Sequence, residues 1–223
     1  MRLALNGIGL RMRLLVIDHG CCDPPGTRVH GLREALRRLG VEAVACGPSA
    51  TPGLAEQPPG LRGIHLHDIA AANRRFLAAV REGSAAAFIA ATGGVSPSLL
   101  ALARETARQA IAEAVYTVDP QAIFVLHAGI LADLAIETGV PVALHVAADD
   151  LDAARGSTRL EELVAAALGS AEAVIAADAE TARRLAADWL DVPPVEGCET
   201  WPVTGDAAAH VLASCRLAIA RRA

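Results

Sequence analysis

The sequence predicts an α/β fold: a Rossmann-like, doubly wound, mainly parallel sheet with helices on both faces, in a single domain. Short continuous apolar runs recur along the chain, as at Leu14–Asp18, Ala122–Leu126 and Ala173–Ala177, and strands that are apolar on both sides belong to sheets covered on both sides. Helix-length amphipathic stretches separate these runs, and such alternation builds a parallel sheet. The 223 residues are 53% hydrophobic with a mean hydropathy of +0.36, enough to bury one α/β core. Aromatics make up only 3%, so that core rests on Ala, Leu, Val and Ile.

The first strand covers Leu14 to Asp18 and ends in the Gly/Pro-rich loop His19–Gly26. Helical spacing of Leu32, Ala35, Leu36 and Leu39 follows, Gly40 stops the helix, and Val41–Cys46 reads as the second strand of a βαβ unit. Residues 48–60, rich in Pro and Gly, are expected to form a surface loop. A short strand is expected at Ile64–Asp68 and a helix over about 70–81, while Ala85–Ala91 fits helix or strand equally. From Pro97 the pattern gives helix to Tyr116, strand Ala122–Leu126, helix Ile130–Glu137 and strand Val140–His145. Helix Thr158–Leu168, strand Ala173–Ala177, helix Ala179–Trp189 and a last helix capped by Asp206 and running to Arg222 complete the chain. Met12 opens what reads as the natural start of the first strand. Residues 1–12 are therefore read as an N-terminal extension, 13–205 as the domain, and 206–223 as a helix packing on it.

Composition excludes several function classes. A net charge of −5 and a pI near 5.8 provide no basic footprint for nucleic acid. All 20 basic residues are arginine, which does not decide function. Cys21, Cys22, Cys46, Cys198 and Cys215 are odd in number and contain no C-x-x-C pair, which argues against a disulfide framework or a zinc site. No run reaches the roughly 20 apolar residues that span a bilayer, and no export signal is evident, so the expected location is the cytoplasm. Walker, Gly-x-Ser-x-Gly and His-Glu-x-x-His patterns are absent, and no cofactor or metal is expected.

In an open parallel sheet, ligands bind outside the carboxyl ends of the strands, so the residues that follow each strand are the candidates. These are His19 and the loop to Gly26, then His127, then His145 with Asp149 and Asp150, then Asp178. A glycine-rich loop feeding a helix N-terminus presents N–H groups to a phosphate, and Thr27 and Arg28 stand at that mouth. The same loop composition also serves a tight β–α turn for backbone reasons alone. Asp150 can hold sugar hydroxyls, whereas Asp149 reads as the start of a solvated loop. His65 and His67, two apart on one strand face, lack a third metal ligand.

Four segments, in order, resemble the N-terminal, acceptor-side domain of family-four-type retaining GT-B glycosyltransferases. Pro25–Val44 is similar to that family's glycine loop, first helix and second strand. Asp119–His127 and Gly139–His145 resemble its two histidine-ended strands, and Ala171–Asp178 its following strand and helix start. The likeness covers about residues 13–190. A lone Gly26 stands where paired glycines are common, Ala147 where a glycine is usual, and Asp178 where a serine is typical.

The resemblance implies transfer of a sugar from a nucleotide-sugar donor to an acceptor of unknown identity. His145 would be the catalytic-centre residue. Gly26 and Thr27 would face the donor phosphates, and His19, His127 and Asp150 the acceptor. No second βαβ set carries a nucleotide-holding half, so that half is expected from a donor-domain partner chain or a homodimer. The alternative class is a noncatalytic interaction or ligand-binding module derived from such an enzyme.

Overall fold

The computed structural model describes residues 12–20, 28–49, 60–189, 198–200 and 207–223. Its strands are β1 (Arg13–Asp18), β2 (Glu42–Ser49), β3 (Leu61–His65), β4 (Ala122–Leu126), β5 (Val142–Val146), β6 (Ala173–Ala176) and β7 (Cys198–Thr200). The helices are α1 (Arg28–Arg38), α2 (His67–Ala70), α3 (Arg74–Glu82), α4 (Ala85–Gly93), α5 (Pro97–Val118), α6 (Ala132–Glu137), α7 (Ala148–Arg155), α8 (Thr158–Ser170), α9 (Ala179–Asp188) and α10 (Ala207–Arg222).

The strands form one seven-stranded sheet in the order β3-β2-β1-β4-β5-β6-β7, with every pair parallel. Side-chain alternation explains why both faces are apolar. Leu15, Ile17, Ile123 and Val125 point into a core shared with α5, α6 and α8. Their neighbours Leu14, Val16, Phe124 and Leu126 point the other way, against Val29, Leu32 and Leu36 of α1 and Val211 and Cys215 of α10. The expected single α/β domain with helices on both faces is what the chain forms. The last helix closes one of those faces, lying against α1, β4, β5 and β6.

Several boundaries differ from the sequence reading. The second strand runs on to Ser49, which is fully buried, so the start of the presumed surface loop is sheet. The third strand lies at Leu61–His65, three residues earlier than expected, and His67 opens α2 instead of continuing it. The helix expected over 70–81 begins only at Arg74: Ala70 ends α2, and the Asn73 side chain accepts the Arg75 and Phe76 N–H groups at 3.0 and 3.1 Å and starts α3 there. That helix ends at Gly83, whose φ of 76° suits a residue without a β-carbon.

The ambiguous Ala85–Ala91 segment is helix, with Ser84 accepting the Ala87 N–H. Helix α7 and strand β7 were not expected. Asp206, the expected cap of the last helix, lies outside the described residues, as do residues 1–11.

Candidate functional site

The chain runs from β1 outward to β2 and β3, then returns to lay β4 on the other side of β1. This reversal is the place where an open parallel sheet leaves a crevice at its carboxyl edge. His19 follows β1, His127 follows β4, and His145 lies one residue from the end of β5. The reversal and the register, with Leu126 opposite His145 and Asp18 opposite Leu126, bring the three ends level.

His19 stands at that edge but presents neither nitrogen to it. The ring has no exposed surface. Its Nδ1 lies 3.0 Å from the Leu126 carbonyl oxygen, which can only accept, and its Nε2 lies 3.0 Å from the Leu131 amide, which can only donate. The proton is therefore on Nδ1 and the ring is neutral. Burial, the largest influence, lowers its pKa below the ordinary 6.5. His19 thus ties the end of β1 to the β4–α6 loop. The Gly20 N–H, donating to Asp18 Oδ1 at 2.9 Å, turns the chain just beyond β1.

Asp150 is fully buried, at the third position of α7. Its Oδ2 accepts the Ala128 N–H at 3.0 Å and the Ala147 N–H at 2.9 Å, and its Oδ1 accepts from His127 Nδ1 at 3.0 Å. Three hydrogen-bond partners on one buried carboxylate satisfy it. His127 keeps 14% of its side chain exposed and has a φ of 77°, uncommon for a residue with a β-carbon. Backbone conformations of this kind persist where the surroundings over-determine them and cluster at functional sites. Its N–H donates to the His145 carbonyl at 3.0 Å, and the His127 and His145 rings meet edge to face with centroids 6.1 Å apart. His145 itself is 2% exposed.

His127, His145, Asp150 and, behind them, His19 therefore form one cluster. Asp149 is exposed, but it lies in the first turn of α7 and does not begin the expected solvated loop. Asp178 caps α9 by accepting the Thr181 N–H at 2.7 Å, which holds its carboxyl below the usual range. A serine can fill the same capping role. His67 is engaged elsewhere, 3.3 Å from Asp68 Oδ1 and 3.0 Å from Arg81 Nη2. Gly26 and Thr27, the expected phosphate-side residues, and Cys21 and Cys22 lie outside the described residues.

Sequence reasoning missed three contributors: Gly129, which makes room beneath His19, and the Ala128 and Ala147 amides that hold Asp150. Among the described residues no group of three or more His, Cys, Asp or Glu could hold a metal ion, and no helix is long and apolar enough to cross a membrane. A groove of about 470 Å³ is lined by Ala72, Asn73, Ser96, Ser98, Leu99 and Leu102, none of which follows β1, β4 or β5.

No family model matches the sequence, and no curated protein matches it. Solved structures do share its fold. One of sucrose-phosphate synthase from Thermosynechococcus elongatus is 13% identical with a TM-score of 0.58, and the match covers 95% of this chain and 100% of that one. A second structure of the same enzyme is 14% identical with a TM-score of 0.58, the match covering 86% of this chain and 48% of that one, so the present chain spans about half its length. These likenesses show a Rossmann-like fold shared with part of sucrose-phosphate synthase.

Proposed function

We propose that this chain is the acceptor-side half of a GT-B glycosyltransferase of the family-four retaining type, using a nucleotide-sugar donor. A donor-binding half would come from a partner chain or a second copy. The observation that carries this reading is the convergence of His127, His145 and Asp150 at the carboxyl ends of β4 and β5, beside the reversal of strand order. The fold-level likeness to sucrose-phosphate synthase supports it.

In this reading His145 faces the transferred sugar, His127 lines the acceptor side, and Gly26 and Thr27 offer backbone N–H groups to the donor diphosphate. The charge that develops on a departing diphosphate is stabilised by donors from both walls of a closed cleft. The isolated chain, without the donor-binding half, should therefore bind donor poorly and turn it over little or not at all. Calorimetric titration with nucleoside diphosphates and nucleotide sugars tests the reading, using the parent chain, His145→Ala and Gly26→Val. Binding that both substitutions weaken supports a working donor-facing cleft, and no binding by the parent rules out stand-alone catalysis and puts the noncatalytic module ahead.

A further inference from the structure

We propose that His19 is a positioning residue for this site: its neutral ring holds the segment from His127 to Ile130 in place, and a second proton on the ring releases that segment. The inference gives the site a pH-dependent regulation, and it rests on the reading above.

The ring ties the segment at both ends. Its Nδ1–H donates to the Leu126 carbonyl at 3.0 Å, just before His127, and its Nε2 accepts the Leu131 N–H at 3.0 Å, just after Ile130. Between these ties lie His127, with its φ of 77°, and Ala128, whose N–H reaches Asp150 Oδ2. An unusual backbone conformation persists only where its surroundings hold it. His19 supplies part of that hold from the β1 side, Asp150 from α7, and Arg104 of α5 through the Ile130 carbonyl at 3.3 Å.

The tie to Leu131 exists in one protonation state only. A protonated imidazole carries an N–H on both nitrogens, so two donors would face each other at Nε2. The ring has no room to turn toward another acceptor. It is fully buried, its centroid lies 6.3 Å from that of Phe88 on α4, and a β-carbon on Gly129 would stand within 2.8 Å of both His19 and Ile89.

The titratable groups around it are Asp18 from β1, His127 after β4 and Asp150 from α7. The two carboxyls favour the extra proton and His127 disfavours it. Helix α4 brings no titratable group, and Asp133 at the start of α6 is paired with Arg104. Burial is the largest influence and keeps the folded-state pKa below the ordinary 6.5, so the segment is held above that pH and let go as pH falls.

The test is amide hydrogen exchange of the full-length chain from pH 8 to pH 5, each rate divided by its intrinsic rate, in the parent and in His19→Gln. Glutamine can offer an oxygen to Leu131 and has no proton to gain. In the parent, Leu131 protection should fall as pH drops below 6.5, by up to roughly tenfold per pH unit until the folded-state pKa is reached. Leu131 should open more readily than Val125 within β4, which marks release of the segment without unfolding of the sheet. In His19→Gln that slope should be lost. A pH-independent Leu131, equal opening of Leu131 and Val125, or the same slope in His19→Gln would each overturn the proposal. The first two are read from the parent alone should the variant not fold. Release of Leu131 with no response to UDP-glucose at any pH would instead count against the glycosyltransferase reading and leave the role of His19 standing.

Discussion

Gly129 packs so closely beneath His19 that a β-carbon built on it would stand 2.7 Å from the ring's Nε2, and 2.8 Å from Ile89 Cγ1. The same Nε2 accepts the Leu131 N–H, so the ring cannot swing aside without breaking the bond that joins β1 to the loop after β4. Gly129→Ala should therefore destabilise the chain by about 1–3 kcal/mol, the usual range for overpacking a rigid core. Urea unfolding should show a lower midpoint with an unchanged slope.

His127 allows a backbone prediction whose sign is independent of its chemistry. Its φ of 77° is strained for any residue with a β-carbon. Both His127→Ala and His127→Gly lose the bond to Asp150, but only glycine relieves the strain, so His127→Gly should be the more stable of the two by about 1 kcal/mol. Equal stabilities in chemical denaturation would show that the backbone there is not strained.

A pH dependence follows from His19. Burial lowers its pKa in the folded chain below the 6.5 it has when unfolded. Between the two values the unfolded state binds more protons, so stability is fully present above pH 6.5 and is lost as pH falls below it toward the folded value. For one site the slope reaches at most about 1.4 kcal/mol per pH unit. Unfolding free energies of the parent and His19→Phe, measured from pH 8 to pH 5, should converge as the pH drops. A constant difference would show that His19 does not titrate between the two states.

The sheet was largely legible because its strands are buried on both faces. Ala122–Leu126 is apolar at every position and coincides with β4, and Ala173–Ala176 needed only one residue trimmed. What misled the reading was local side-chain capping and packing. Asn73 delays the start of the expected helix to Arg74 by binding the N–H groups of its first turn, a choice that hydrophobic spacing does not reveal. The acidic stretch from Ala148 to Arg155 looks like a solvated loop, yet Asp150 is buried in it because Ala128, brought alongside by β4, supplies a donor from 22 residues away.

The histidines illustrate the same limit at the candidate site. His127 and His145 were identifiable from their places at the ends of apolar strands, and the structure sets their rings 6.1 Å apart. His19 occupied an equivalent place in the sequence, but its two nitrogens are turned to Leu126 and Leu131. Strand ends thus placed all three histidines at one edge of the sheet, while only the fold distinguishes the one whose nitrogens are taken up by backbone groups from the two whose rings meet.

The central claim is that ligands meet this chain at the carboxyl edge of β1, β4 and β5. Mapping backbone amide shifts while a nucleotide sugar such as UDP-glucose is added tests it most directly. Saturable shifts centred on Ala128, His145 and Ala147, with the Asn73–Leu102 groove unmoved, are the expected result; shifts centred on that groove, or none anywhere, would contradict it.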